Sequence, residues 1–381
     1  MPRPQRAGTP WFAAAVRLLQ ASGLAVLIAG CASSPAIPLT RLPADIPPGT
    51  TATTPAPQAV PSTPPVVARD ASRPAVPPVV LPPSEPPSVA GTNGVAAPLP
   101  TAPPTPVVAT NRWIRLADWF AAHPEMSGKV AMQAGSKRFQ YAGVTAHLGF
   151  EPLPAGNTLL LHPIDVARNL DPLTEATPAW TGRRIVLDPG HGGISAGTRM
   201  ITGNRFEKDF TLDWARRLKP LLEARGWTVV LTRTNDVDVS LPERVHVADL
   251  AQADLFVSLH FNSSFPSQTA QGLETYCLTP TGLPSTLVRQ YADDPASVHP
   301  NNRHDAANLR LALRIHRSVL RASGQLDRGV RRARFMDVLR GQDRPAVLIE
   351  GGYLSNPAEA RRIDTPEFRQ RLALGVAAAL E

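Results

Sequence analysis

The chain has 381 residues, a formal charge of +8 and two cysteines, and its 42 prolines are unevenly placed. Of these, 22 fall between Cys31 and Thr110; setting that stretch and the leader aside leaves roughly 270 residues, which excludes a large multidomain enzyme and allows one sizeable core plus a small accessory module. Only four of the 39 basic residues are lysines, and no basic run interleaves with aromatics, which argues against nucleic acid as a partner and for an anionic cell-envelope polymer.

Residues 1–30 have the form of an export signal. Arg3, Arg6 and Arg17 precede the apolar run from Leu24 to Gly30, which is too short to span a bilayer. The run ends Leu27-Ile28-Ala29-Gly30-Cys31, which resembles the lipobox of bacterial lipoproteins. That resemblance implies a lipidated Cys31 as the first residue of the mature protein, anchored stably by multiple acyl chains. Ala32 and Ser33 stand where an inner-membrane retention Asp is common, so the resemblance implies the outer membrane rather than the inner, on the periplasmic side. With Cys31 acylated, Cys277 has no partner and no intramolecular disulfide is expected. Residues 31–110, rich in Pro, Ala, Thr and Ser, read as a disordered linker that reaches on the order of 50 Å as a coil.

Residues 111–172 read as a small β-rich domain. Short apolar runs around Val130–Met132, Val144–Phe150 and Thr158–His162 are broken by Gly and Pro. The pattern is similar to the copper-amine-oxidase N-terminal-type domains found beside cell-wall enzymes. His123, His147 and His162 occur singly and read as structural or surface residues.

Residues 183–381 alternate strand-like and helix-like stretches, the mark of an α/β domain. Ile185–Leu187, Thr228–Leu231, Leu255–Leu259, Leu273–Leu278 and Ala346–Ile349 read as strands. Phe206, Phe210, Trp214, Leu218 and Leu222 recur every four residues, which predicts a helix over 206–225 with one apolar face. A second helix is predicted over 306–321, and Thr365-Pro366 has the N-cap and N1 pattern that starts a final one. Thr279–Arg303 is the one long loop, polar and Pro-bearing, and is a candidate border for a substrate groove.

His191, His260 and Glu350 each stand at the end of a separate apolar strand. In open α/β sheets strand carboxyl ends face the ligand crevice, so three titratable groups emerging there can converge on one site. Glycines on both sides of His191 leave room for another group to approach its imidazole, and two imidazoles plus a carboxylate suit zinc. The third ligand stays open on spacing alone: Glu207 is a candidate, but Asn204-Arg205-Phe206-Glu207 is also a capping-box pattern.

Leu187-Asp188-Pro189-Gly190-His191-Gly192-Gly193, Glu207-Lys208, Ser258-Leu259-His260-Phe261-Asn262, Gly272-Leu273-Glu274-Thr275-Tyr276 and Val347 to Asn356, in that order, resemble the zinc-dependent N-acetylmuramoyl-L-alanine amidases. The resemblance implies a mixed, twisted sheet flanked by helices, with His191, Glu207 and His260 as zinc ligands. It implies Glu350 as the catalytic carboxylate that takes a proton from the attacking water, and peptidoglycan as substrate, cut between N-acetylmuramic acid and L-alanine. Asn262 and Glu274 are candidates to support a ligand or touch substrate. The alternatives are a zinc hydrolase of another amide and a non-catalytic wall-binding lipoprotein; a protein activator is left open. A thiol enzyme is set aside because Cys277 lies inside an apolar strand.

Overall fold

The computed structural model describes residues 112–175, 182–288 and 293–381. The leader, Cys31 and the proline-rich stretch lie outside them. Among the described residues no helix is long and apolar enough to cross a membrane.

Among the described residues twelve strands follow in chain order: β1 (Ile114–Arg115), β2 (Val130–Met132), β3 (Arg138–Tyr141), β4 (Val144–His147), β5 (Leu153–Ala155), β6 (Thr158–Leu161), β7 (Arg184–Pro189), β8 (Thr228–Leu231), β9 (Leu255–Asn262), β10 (Leu273–Cys277), β11 (Asp327–Arg332) and β12 (Ala346–Tyr353). Nine of them form one mixed sheet in the order β2-β3-β4-β11-β10-β12-β9-β7-β8, and β1, β6 and β5 form a small separate one. β8, β7, β9 and β12 run parallel, whereas β10 is antiparallel to β12 and parallel to β11.

The mixed sheet with helices on its faces agrees with the α/β expectation. The segment 111–172 is β-rich as expected, yet it does not stand apart. β4 pairs with β11, Ala146 opposite Val330, so β2–β4 extend the sheet of the later segment, and Phe139, Val144 and Val330 share its core. Asp327 fastens this seam: its carboxylate accepts the Thr145 N–H at 2.7 Å and faces buried His316 at 3.0 Å.

Strand alternation divides the core. Leu255, Val257, Leu259 and Phe261 of β9 pack with Phe210, Trp214 and Leu218 of the Glu207–Glu223 helix, while Phe256 packs with Val338 and Leu348 on the other face. Each such fully buried side chain contributes about 1.5–3 kcal/mol relative to exposure. The predicted helix over 306–321 spans Asp305–Ser323, and the last runs from Pro366 to Ala379, with Thr365 accepting the Phe368 N–H. The Leu241–Leu250 and Pro357–Asp364 helices and strand β11 were not read from the sequence.

Candidate active site

His191 owes its position to a buried scaffold beneath it. It follows β7 in the left-handed region, at φ 63°, and Gly190 before it is obligatory in space: a Cβ there would lie 2.2 Å from the His260 ring. Asp188, at the end of β7, accepts from Thr232, Ser258 and Arg244 at 2.6, 2.7 and 2.6 Å. Burial pushes the Asp188 carboxyl up, but the Arg244 charge and these hydrogen bonds hold it below its ordinary value. Arg244 also donates to the His191 carbonyl at 2.9 Å, and Arg233 donates to the Pro189 and Gly190 carbonyls at 2.9 and 3.0 Å. Sequence reasoning missed both arginines, because nothing in spacing marks a charged side chain as buried.

Removing Arg244 takes the charged partner from Asp188, which is 1% exposed. The Arg244→Met variant is therefore expected to lose about 3–5 kcal/mol of stability, as breaking a buried ion pair does. Denaturant unfolding checks this, and a loss below about 1 kcal/mol contradicts it.

Glu207 opens its helix at the first helical position, with Phe206 as N-cap, so no capping box spans Asn204–Glu207. The carboxylate that reaches back to the N-cap is instead Asp209, which accepts the Phe206 N–H at 3.0 Å. Glu207 turns across the strand ends. Its Oε1 lies 2.9 Å from His260 Nδ1 and its Oε2 3.1 Å from His191 Nε2. Oε1 also accepts the Phe261 N–H and Oε2 the Thr198 N–H, each at 3.0 Å. Burial pushes this carboxyl up, but hydrogen bonds and charge from the two histidines bring it well below the usual range. Gly197, at φ 70°, makes room: a Cβ there would lie 2.7 Å from both Glu207 and the His191 ring.

One ligand atom from each of His191, Glu207 and His260 lies within 4.8 Å of the others. Two imidazole nitrogens and one carboxylate oxygen are a donor set that zinc accepts, so the residues fit the ion the motifs imply.

Glu350 stands beside this triad. It is buried on β12, directly opposite His260 of β9 and Glu274 of β10, so all three side chains share one face at the same edge. Glu274 is fully engaged: its carboxylate accepts from Asn262, Tyr276 and Arg328 at 2.9 Å each and pairs with Arg331 at 3.0 Å. Burial raises its proton affinity, but the Arg331 and Arg328 charges outweigh that and hold it below its ordinary value. A register shift in β11 opposite β10 lets two arginines three residues apart reach one carboxylate.

The described residues of the loop after Thr279 lead away from this edge. Because β10 is antiparallel to β12, the loop leaves where β12 begins, and Asn301 bonds the Arg344 carbonyl there at 2.7 Å. Arg303 pairs with Asp343 at that same end, and Arg289 lies outside the described residues. Cys277 is buried, with its thiol pushed up by burial, which suits an inert packing role.

A histidine–glutamate–histidine triad with a second carboxylate alongside is of the kind that metal-assisted hydrolases carry at sheet edges. The family model for N-acetylmuramoyl-L-alanine amidases matches residues 185–381, and the chain belongs to that family. Among its relatives, the amidase AmiC of Neisseria meningitidis serogroup B is 33% identical over 239 residues, covering 57% of this chain and 56% of that protein. The sporulation-specific N-acetylmuramoyl-L-alanine amidase of Bacillus subtilis is 34% identical over 52% of this chain and 67% of its own length. A solved N-acetylmuramoyl-L-alanine amidase from Clostridium difficile is 32% identical, with a TM-score of 0.43, over 52% of this chain and 95% of that one. The chain spans about half the length of several curated relatives it matches.

Proposed function

We propose that the protein hydrolyses the amide joining the lactyl group of N-acetylmuramic acid to L-alanine in peptidoglycan. The observation that carries this is the meeting, in a member of the amidase family, of His191, Glu207 and His260 within 4.8 Å beside Glu350. The triad would hold zinc, which lowers the pKa of a water toward neutrality and polarises a carbonyl. Glu350 accepts the proton of the attacking water and delivers it to the departing amine of L-alanine. Asp188, Arg233 and Arg244 fix the His191 loop, so the imidazole does not reorganise as the reaction proceeds. Glu274 holds Asn262 at the strand end. The test is metal analysis with product mass spectrometry. Stoichiometric zinc and released peptides that begin with L-alanine are expected; cleavage within the stem peptide refutes the reading.

The anchor belongs to the same proposal. The support is the Leu27–Cys31 pattern, with Ala32 and Ser33 after it. An acylated Cys31 holds the enzyme at the periplasmic face of the outer membrane, and the linker carries the catalytic domain to the wall. Cys31→Ser is expected to leave the membrane fraction, and absence of an acyl mass on residue 31 of the wild type refutes the anchor. The likeness of 111–172 to copper-amine-oxidase N-terminal-type domains is supported by strand pattern alone.

A further inference from the structure

Next to the triad lies a cleft of about 490 Å3 whose walls include Thr198, Met200, Ile201, Ser263, Phe265 and Ser355. It is continuous with the catalytic edge at two points: Thr198 donates its N–H to Glu207 Oε2 at 3.0 Å, and Ser263 follows Asn262 at the end of β9. Its volume falls in the range of small-ligand sites.

Phe265 on this cleft is 76% exposed. The ring stands in solvent beside the catalytic edge, on a loop that is fastened rather than loose. Ser264 donates its N–H to Ser355 Oγ at 2.9 Å and its hydroxyl to the Ser267 carbonyl at 2.9 Å, and Asn356 holds the Gln268 carbonyl at 2.9 Å. The facing wall is tied in by Ile201 N–H to the Leu354 carbonyl at 3.0 Å.

The chemistry of the lining decides what the cleft takes. Among the described residues no carboxylate lines it, and Arg199 on its wall is bonded within its own loop to Gly203 O and Asn204 Oδ1. The cations of this edge, Arg328 and Arg331, lie with Glu274 on β10 and β11, on the far side of Glu350 from β9. Of the two arms of a peptidoglycan substrate, the stem peptide is the one with free carboxylates, and two arginines against the single Glu274 carboxylate leave positive charge in excess on that side. The sugar rings of the glycan strand offer flat C–H faces ringed by hydroxyl and acetamido groups, and match an aromatic wall set among serine and threonine hydroxyls.

We propose that this cleft is the saccharide subsite, in which an N-acetylhexosamine ring of the glycan strand stacks on Phe265 with its polar groups toward Thr198 and Ser263. The assignment rests on the amidase reading of the neighbouring triad. It makes Phe265 a specificity-determining residue that places the muramoyl carbonyl by holding the glycan.

The experiment uses the full chain freed of metal, titrated calorimetrically with a peptide-free oligosaccharide of alternating N-acetylglucosamine and N-acetylmuramic acid, and separately with free stem peptide. Phe265→Ala is expected to weaken oligosaccharide binding about tenfold and leave stem-peptide binding unchanged, while Phe265→Trp stays within about twofold of wild type. The exposure of Phe265 keeps the fold out of the comparison, and equal thermal midpoints check it. Unchanged oligosaccharide affinity in Phe265→Ala, no oligosaccharide binding by the wild type, or a loss confined to the stem peptide overturns the subsite. Failure of the function is a separate outcome: zinc-loaded wild type that releases no stem peptide from sacculi refutes the amidase reading, whatever the metal-free protein binds.

Discussion

Glu350→Gln is expected to retain zinc and lose amidase activity by about 10² to 10⁴, the worth of general-base assistance. The amide nearly matches the carboxylate in shape but cannot accept the water's proton. Glu350 is 7% exposed and lies across from His260, so the substitution leaves both packing and the triad in place. Glu274→Gln is the control, because that carboxylate lies on the same face and is also buried, yet its oxygens are taken by Asn262, Tyr276, Arg328 and Arg331. None of those partners is a residue of the triad, so the loss is expected to stay below about a hundredfold, the upper end for groups that orient a metal ligand directly. Rates of muropeptide release by both variants at matched zinc content decide the matter. Near wild-type turnover by Glu350→Gln removes it from the mechanism.

The contrast between these two acids also marks where sequence reading ran out. That His260 and Glu350 lie on the carboxyl side of apolar strands was legible, because Leu255–Leu259 and Ala346–Ile349 are too apolar to lie anywhere but in a buried sheet; that β9 and β12 run on past them to Asn262 and Tyr353 was not. Strand direction was not. β10 has the same apolar character as its neighbours, and only its antiparallel pairing with β12 puts Glu274 at the catalytic edge and sends the loop after Thr279 to the opposite one. β11 escaped notice because Asp327, Arg328, Arg331 and Arg332 fill four of its six positions. Those charges are matched in three dimensions by His316, Glu274 and the Leu278 carbonyl, none of them near in sequence. The joining of β4 to β11 was hidden for a related reason: the pairing rests on a backbone ladder and on the Asp327–Thr145 bond, neither of which leaves a periodic signal.

Glu207 shows local and tertiary signals in conflict. An acid near the start of a helix is favourable for its own sake, since the N-terminal end of the helix dipole attracts negative charge, and the Asn204–Glu207 spacing is that of a capping box. In the fold the carboxylate leaves the helix end and spans two imidazoles.

The two roles differ in what Glu207→Ala does. A helix cap removed from the surface costs about 1 kcal/mol and leaves metal binding intact. A buried carboxylate that accepts the Phe261 and Thr198 N–H groups leaves two donors without an acceptor when it goes, at about 1–3 kcal/mol each, and leaves zinc with two protein ligands. Glu207→Ala is therefore expected to carry little or no zinc after dialysis, as are His191→Ala and His260→Ala, and to unfold at lower denaturant than wild type even when all are stripped of metal. Glu207→Gln separates the contributions: its amide oxygen can still accept from one of the two N–H groups, so it recovers part of the stability while lacking the negative charge that offsets the ion. Metal analysis alongside denaturant unfolding reads both effects at once. Stoichiometric zinc in Glu207→Ala would mean that the two imidazoles hold the ion with some other donor, and the triad would have to be redrawn around His191 and His260 alone.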